Sequence, residues 1–378
     1  MKRIVLCCDG TWNKADQESN GVPCPTNVVK LGYRIAKRDA KGVAQILYYD
    51  QGVGTGNPVD HLSGGAFGDG LEDNIHDAYR FLVANYEEGD ELYLFGFSRG
   101  AFTARSIVGM VRKCGILGRA YVRHYKEATE LYHNDEHPAD PGPAKFREQY
   151  CLYGNKDIDV RFMGVWDTVG ALGIPLRGLR WLTRREYQFH DTELSGTVKE
   201  AYHALAVDEH RGSFDPAIWD YKPKDWQHVE QVWFCGAHSD VGGGYAPPKP
   251  GETPGLLSDI ALQWMMGKAE AAGLALDQDA IKANPISPSA VAKIHDSKTG
   301  FYNVAPDFNR DIGKTRKTET SPEVDDPTQS LHPSVLERWD ADESYRPKPL
   351  VEYFKRIHDK RASESGVEDE TPVTRDVG

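Results

Sequence analysis

The sequence predicts an α/β protein with a doubly wound, mostly parallel sheet and helices on both faces. Short apolar runs alternate with amphipathic helical patterns along the chain, which is typical of βαβ units. The apolar runs are rich in Val, Ile, Leu, Tyr and Phe and show little polar alternation, as expected for strands buried on both faces. With 378 residues, the chain can bury such a core without disulfides.

Five apolar runs are the predicted strands. The first begins after Met1 and Lys2 and ends before Asp9, which is too short for the ~7–15-residue apolar region of a signal peptide. We therefore interpret it as a buried strand. The predicted strands are Arg3–Cys8, Ala44–Asp50, Glu91–Phe95, Val160–Trp166 and Val229–Cys235.

Helical patterns lie between these strands. In the longest, apolar residues recur at spacings of three, four and one, and Gly89 follows as a stop signal. Gly115 ends a second pattern in the same way, and Thr26 or Asn27 can cap a third. The predicted helices lie within residues 27–37, 71–86, 101–111 and 253–264.

Composition excludes several classes of protein. The 57 acidic against 45 basic residues give a net charge of −12, which argues against a general nucleic-acid binder. No apolar run approaches the roughly 18–20 residues that span a bilayer. The six cysteines form no Cys-x-x-Cys pair, so we interpret them as reduced thiols, mostly in the core.

The most specific motif is Gly96-Phe97-Ser98-Arg99-Gly100, a Gly-x-Ser-x-Gly that follows a predicted strand and precedes a predicted helix. This position is typical of the nucleophile elbow, in which a serine stands on a tight strand-to-helix turn. The helix dipole and the free N–H groups of the first helical turn favour an oxyanion there. Ser98 is therefore the predicted nucleophile.

A serine nucleophile needs a base and an orienting carboxylate. Asp167 and His238 follow the next two predicted strands, so the three residues are expected at three consecutive strand ends on one sheet edge. We predict Asp167 as the acid and His238 as the base, in the Ser, Asp, His order of α/β-hydrolases. The sequence leaves open Asp240 as the acid and His332 as the base.

The loop after the first strand, which begins Asp9-Gly10-Thr11, is expected at the same edge. Backbone N–H groups of Gly10 or Thr11, together with that of Arg99, are the predicted oxyanion hole. Asp9 is expected to hold this loop through hydrogen bonds to its own backbone.

Together these motifs resemble the α/β-hydrolase family called domain of unknown function 2235, which includes phospholipase effectors of bacterial type VI secretion. The resemblance spans about residues 3 to 340. It implies an α/β-hydrolase core and a serine esterase that acts on lipids, with Ser98, Asp167 and His238 as the catalytic residues. The matching blocks are Asp9-Gly10-Thr11-Trp12-Asn13, Gly96-Phe97-Ser98-Arg99-Gly100-Ala101, Val165-Trp166-Asp167-Thr168-Val169-Gly170, His238-Ser239-Asp240-Val241-Gly242-Gly243-Gly244-Tyr245 and His332-Pro333-Ser334-Val335.

We predict one α/β-hydrolase-like catalytic domain over residues 1–350, in which about 277–348 form a covering subdomain or long loops. Residues 361–378 are polar, lack aromatic residues and are predicted to be disordered. The expected partner is an ester or lipid, with no cofactor, metal or nucleic acid. The protein is expected to be made in the cytoplasm. The sequence leaves open whether the protein contacts membranes peripherally and whether it is exported without a cleavable signal peptide. It also leaves open the acyl-chain specificity and the oligomeric state.

The sequence leaves two other functions open. One is a hydrolase-fold binding or regulatory protein without turnover. The other is a metal-dependent phosphate-ester hydrolase, because Asp9, Asp167 and Asp240 all follow predicted strands and carboxylates bind hard cations. Haloacid-dehalogenase phosphatases carry a nucleophilic aspartate two residues before Asp-Gly-Thr, where this chain has Cys7, and this disfavours their chemistry. The glycine runs 52–56 and 64–70 lack the Gly-Lys-Ser/Thr of a P-loop.

Overall fold

The computed structural model describes residues 1–52, 64–169, 194–220, 224–298, 308–315 and 324–365. Seven strands of this part form one sheet, and each pair of neighbours in it is parallel. They are β1 (Arg3–Cys8), β4 (Gln45–Asp50), β5 (Glu91–Phe97), β6 (Val160–Trp166), β7 (Val198–Ala206), β8 (His228–Phe234) and β9 (Gln329–Leu331). Their order across the sheet is β4-β1-β5-β6-β7-β8-β9. A separate hairpin joins β2 (Glu18–Ser19) to β3 (Val22–Pro23).

Helices cover both faces of the sheet. Side chains of β1 alternate between the two resulting cores: Ile4 and Leu6 face one, Val5 and Cys7 the other. This confirms the predicted α/β class and doubly wound sheet, because a central strand such as β1 is buried on both faces. The helices are α1 (Asn27–Gly32), α2 (Gly64–Asn85), α3 (Arg99–Cys114), α4 (Tyr125–His133), α5 (Pro141–Tyr150), α6 (His238–Gly242), α7 (Leu257–Ala271), α8 (Gln278–Ala283), α9 (Pro333–Ala341) and α10 (Lys348–Ser365).

The strand order places a crevice at one end of the sheet. From β1 the chain moves outward to β4, and then returns past β1 to β5 on its other side. The connections that leave β1 and β5 therefore diverge. Ligands of open α/β sheets bind at such a switch point, outside the carboxyl ends of the strands. The loop that starts at Asp9 and the turn that contains Ser98 both lie there.

Two strands of the main sheet, β7 and β9, were not predicted from the sequence, and β7 changes the predicted arrangement. The strand β7 lies between β6 and β8, so the three predicted catalytic residues are not at consecutive strand ends as expected. The first half of β7 contains Lys199 and Glu200, which interrupt the apolar run. The three-residue strand β9 is too short to give a pattern. The strands β1 and β6 have the predicted bounds.

All four predicted helices differ from their predicted bounds, and two of them, α1 and α7, do so for local reasons. The helix α1 ends at Gly32 rather than Lys37, because Ile35 and Arg38 instead form β-bridges. The helix α7 starts at Leu257, two residues after Gly255, whose φ of 94° is incompatible with a helix.

The C-terminal part of the chain contains α8, β9 and α9 within the region predicted as a covering subdomain or long loops. The helix α10 continues to Ser365, so it includes the start of the segment predicted as disordered. Residues 366–378 of that segment lie outside the described residues, as do residues 53–63 of the glycine-rich region.

Two predictions from composition can be compared with the structure. All six cysteines are free thiols, and five of them are buried, as expected for core thiols. Across the described ranges, none of the helices is both long enough and apolar enough to cross a bilayer.

Candidate active site

The turn between β5 and α3 has the geometry of a nucleophile elbow. Ser98 adopts φ 58° and ψ −123°, a strained backbone conformation for a non-glycine residue. A Cβ added at Gly96 would lie 2.5 Å from the Cα of Ala101, and one added at Gly100 would lie 2.2 Å from the carbonyl oxygen of Cys8. Both glycines are therefore required for the turn. They let the chain reverse tightly and place Ser98 at the switch point.

The structure brings two of the predicted catalytic residues together. Nδ1 of His238 lies 2.6 Å from Oδ2 of Asp167, and both side chains are buried. Asp167 directly follows β6, and His238 is the first residue of α6, after β8. The His238 ring packs against Phe97, the residue before Ser98, with 4.6 Å between ring centroids. The imidazole therefore lies beside the elbow.

Arg310 is a further member of this cluster that the sequence analysis missed. Its guanidinium donates to both carboxylate oxygens of Asp167, at 2.5 Å and 3.0 Å. It also donates to the carbonyls of Ala206 and Phe214, and its side chain is fully buried. Arg310 lies in the part of the sequence without clear periodicity, so no motif pointed to it. The Asp167 carboxylate is thus fixed on two sides, by a base and by a permanent cation.

The charges of this cluster set its protonation. Burial alone would raise the pKa of Asp167, but the charge of Arg310 and hydrogen bonds from His238 and Arg310 hold it well below its ordinary value. Burial lowers the pKa of His238, and the hydrogen bond and charge of Asp167 offset this only in part. Near neutral pH the pair is therefore an ionised carboxylate and a neutral imidazole.

Asp240, the alternative acid, and His332, the alternative base, have other partners. Asp240 accepts from the backbone N–H of Ala237 at the start of α6, and its other oxygen lies 2.6 Å from Nδ1 of His295. His332 is the cap of α9, where its ring nitrogen accepts from the N–H of Ser334. Among the predicted acids and bases, the structure pairs only Asp167 with His238.

The loop after β1 contacts the serine. A methyl group added at Gly10 would lie 3.2 Å from Cβ of Ser98. Asp9 holds this loop: one oxygen accepts the Gly10 N–H at 2.8 Å, and the other accepts the hydroxyls of Thr26 and Tyr49. Burial raises the pKa of Asp9 to about 6, and these hydrogen bonds oppose the rise. The Gly10 N–H, a predicted oxyanion donor, is therefore already engaged by Asp9.

The other two predicted oxyanion donors differ in position. The Thr11 nitrogen is close to Gly52, because a Cβ built on Gly52 would lie 2.9 Å from that nitrogen. Arg99 is the first residue of α3, so its N–H lies at the positive end of the helix dipole. Arg99 also places its guanidinium 5.8 Å from the ring centre of Trp12.

The three aspartates considered as a cation site are held by separate partners. Asp9 binds the hydroxyls around its own loop, Asp167 binds Arg310, and Asp240 binds His295. A carboxylate metal site needs oxygens that converge on one point. The structure therefore does not support the phosphate-ester alternative that was based on these aspartates.

Comparison with known proteins gives three kinds of match. A family model described as "T6SS, Phospholipase effector Tle1-like, catalytic domain" matches residues 2–268. An uncharacterized protein of Saccharomyces cerevisiae, YEL023C, is 31% identical over 233 residues, which cover 56% of this chain and 32% of that protein. The chain therefore spans about a third of this curated relative.

Two solved structures are similar at 20% identity and a TM-score of 0.40 each. One is an uncharacterized protein from Pseudomonas aeruginosa, with 73% of this chain and 46% of that chain covered. The other is the Tle1 effector bound to the VgrG spike of the type VI secretion system, with 66% and 52% covered.

Proposed function

Because this chain belongs to the family of type VI secretion Tle1-like phospholipase effector catalytic domains, we propose that it is a serine hydrolase of lipid carboxylic esters. The observation that carries the proposal is the 2.6 Å hydrogen bond between Asp167 and His238, at the sheet edge that also presents Ser98. This is the acid, base and nucleophile set that acyl transfer requires.

In the proposed mechanism, Oγ of Ser98 attacks the ester carbonyl and forms a tetrahedral intermediate. Nε2 of His238 takes the serine proton and then gives it to the leaving alcohol, so that an acyl-enzyme remains. Water, activated by the same imidazole, releases the fatty acid. Asp167 orients Nδ1–H and stabilises the imidazolium, and Arg310 keeps Asp167 ionised.

The oxyanion of the intermediate needs N–H donors that are in place before the reaction. We propose the N–H of Arg99 as one donor, since it belongs to the first turn of α3. The second comes from the loop after β1, with the Thr11 N–H favoured over that of Gly10, which donates to Asp9. Each such donor is worth about 10²–10³ in kcat.

The lowered pKa of His238 predicts the pH dependence of hydrolysis. The base must be neutral, and its pKa lies below the ordinary 6.5, so activity persists as the pH falls through 6.5 and is lost only at lower pH. We expect the acid limb of kcat/KM on a short acyl ester to have its midpoint below pH 6.5. A midpoint above 6.5 would argue against His238 as the base.

The direct test of the proposal is labelling with a fluorophosphonate probe, followed by peptide mapping. This probe reacts with serine hydroxyls that a base activates, so we expect modification of wild type at Ser98. Ser98→Ala should not be labelled. Ser106→Ala is the matched control, because Ser106 lies two turns into α3 and is buried as Ser98 is; this variant should be labelled like wild type.

Two further outcomes distinguish the alternatives. Labelling only in the presence of detergent micelles would indicate that an interface opens the site, as expected for an enzyme that acts on lipids. Folded protein that is labelled under neither condition would favour a binding or regulatory protein without turnover and would contradict the proposal.

Export is part of the same proposal. The family description names type VI secretion effectors, and the solved Tle1 effector is bound to a VgrG spike. We propose that this chain is likewise made in the cytoplasm and carried out by such an apparatus to reach its lipid substrate.

A further inference from the structure

Away from the candidate active site, three side chains with metal-binding atoms meet between α2 and α4. Glu72 and His76 are one helical turn apart on α2 and share a face, and His133 is the last residue of α4. Their donor atoms all lie within 4.8 Å of one another. Oε1 of Glu72 lies 2.9 Å from Nε2 of His133 and 3.8 Å from Nε2 of His76.

His76 adds an independent observation. Its Nε2 atom is buried and has no hydrogen-bond partner among the described residues. Such atoms are rare in native proteins, because a buried polar atom without a partner costs free energy. Tyr125 fixes this histidine: its hydroxyl donates to the His76 carbonyl at 3.1 Å, and its ring packs edge-on with 5.9 Å between centroids. The ion pair of Glu72 with His133 does not supply a hydrogen-bond partner to the Nε2 atom of His76.

We propose that Glu72, His76 and His133 bind a divalent first-row transition metal ion, with Zn²⁺ as the best fit. Two imidazole nitrogens and one carboxylate oxygen form a known protein ligand set of zinc sites that keep an open position. Metal–ligand bonds of about 2.0–2.2 Å in a tetrahedral site separate the ligand atoms by roughly 3.3 Å. The observed 2.9 Å and 3.8 Å lie on either side of this value.

The exposure of the three proposed ligand side chains indicates which ligand takes the fourth coordination position. The side chains of Glu72 and His133 are 36% and 38% exposed, whereas that of His76 is 15% exposed. The fourth coordination position therefore faces solvent and takes a water molecule. An ion can enter from that side without unfolding of the helices.

The bound ion acts as a structural link. It joins α2 to α4, and both helices pack against α3, the helix that begins after Ser98. The helix α4 is tied to α3 by the thiol of Cys114, which donates to the carbonyl of Ala128 at 3.2 Å. The metal holds this helical layer on one face of the sheet. The site has no ligand in common with the ester chemistry proposed above, so either proposal can fail without the other.

The test is metal binding to the full chain after treatment with a chelator. We expect one Zn²⁺ ion per chain by calorimetry and a Tm that rises with Zn²⁺ concentration. Co²⁺ should give the visible absorption of a four-coordinate site. The variant His133→Gln removes an exposed ligand, so it should fold. It should weaken Zn²⁺ binding at least about 100-fold, because even changes to outer-shell partners cost 10–100-fold.

A matched control is available on the same helix layer. His124 and Glu127 form a surface pair at 2.9 Å, with one histidine instead of two. His124→Gln should therefore bind Zn²⁺ like wild type, and Zn²⁺ should raise its Tm by as much as it raises that of wild type. The proposal is overturned if His133→Gln binds Zn²⁺ as tightly as wild type, or if Zn²⁺ leaves the Tm of wild type unchanged.

Discussion

Replacing Ser98 with alanine is expected to reduce ester hydrolysis by about 10⁴- to 10⁶-fold without unfolding the protein. The variant has no hydroxyl to attack the ester, and neither His238 nor Asp167 can take over that step. Alanine keeps the Cβ of serine, so the backbone strain of the turn at φ 58° does not change. The measurement is kcat/KM on short acyl esters, with circular dichroism as the check on folding.

The comparison needs a serine that is structurally similar but outside the site. Ser106, two turns further along α3 and buried in the core, serves this purpose. We expect Ser106→Ala to keep kcat/KM within a few-fold of wild type. If Ser98→Ala keeps the activity of wild type in a preparation free of contaminating esterase, the proposed nucleophile is wrong.

Replacing Arg310 with methionine is expected to lower the free energy of unfolding by about 3–5 kcal/mol. Arg310 is fully buried, and its guanidinium is the cation that compensates the equally buried carboxylate of Asp167. Methionine fills similar space but leaves that carboxylate without its countercharge and two carbonyls without a donor. Urea unfolding at pH 7 measures the change.

In the proposed mechanism Arg310 acts through Asp167, and this gives a second readout. Without the guanidinium, the pKa of Asp167 should rise, because burial then acts with less opposition. The fall in kcat/KM as the medium becomes acidic should therefore begin at a higher pH than in wild type. Arg310→Lys keeps the positive charge and should restore part of the wild-type pH profile. A purely structural role would change the stability and leave the pH profile in place.

A double-mutant cycle separates the charge from the packing. Asp167→Asn removes the buried negative charge, so adding it to Arg310→Met should cost less stability than the sum of the two single changes. Asp167→Asn alone is expected to lower kcat by about 10⁴-fold. Strict additivity of the two stability changes would show that the pair is not coupled.

Arg338→Met is the matched control for Arg310. Arg338 is also buried and donates to two backbone carbonyls, those of Ala290 and Ala292, at a distance from the candidate active site. The control should lose stability, but its pH profile of hydrolysis should match that of wild type. A shifted profile in Arg338→Met would mean that loss of stability alone moves the profile.

The residues of the candidate site were largely predictable because each follows a buried strand. A serine between two glycines, after a strand and before a helix, has few other structural explanations, and the structure gives Ser98 the expected strained turn. The pairing of Asp167 with His238 follows from the rule that parallel strands end at one edge. The family suggested by these motifs is confirmed by the match over residues 2–268.

Other contacts had no local pattern that could reveal them. Arg310 reaches Asp167 from 143 positions further along the chain. Thr168 donates its N–H to the imidazole of His203, 35 positions away. Such pairs depend on how distant segments pack. The sequence also offered Asp240 as an alternative to Asp167, and its contact with His295 likewise had no local pattern that could reveal it.

The sequence by itself determined the α/β class, the parallel strands and the position of Ser98 on its turn, because these depend on short-range patterns of apolar residues and glycines. The tertiary structure decided the insertion of β7 between β6 and β8. It also decided the ion pair of Arg310 with Asp167 and the contact of His133 with Glu72. The physical reason is the separation along the chain over which each effect acts. Backbone sterics and periodic burial act over a few residues, whereas the partner of a buried charge is chosen by packing between elements far apart in the chain.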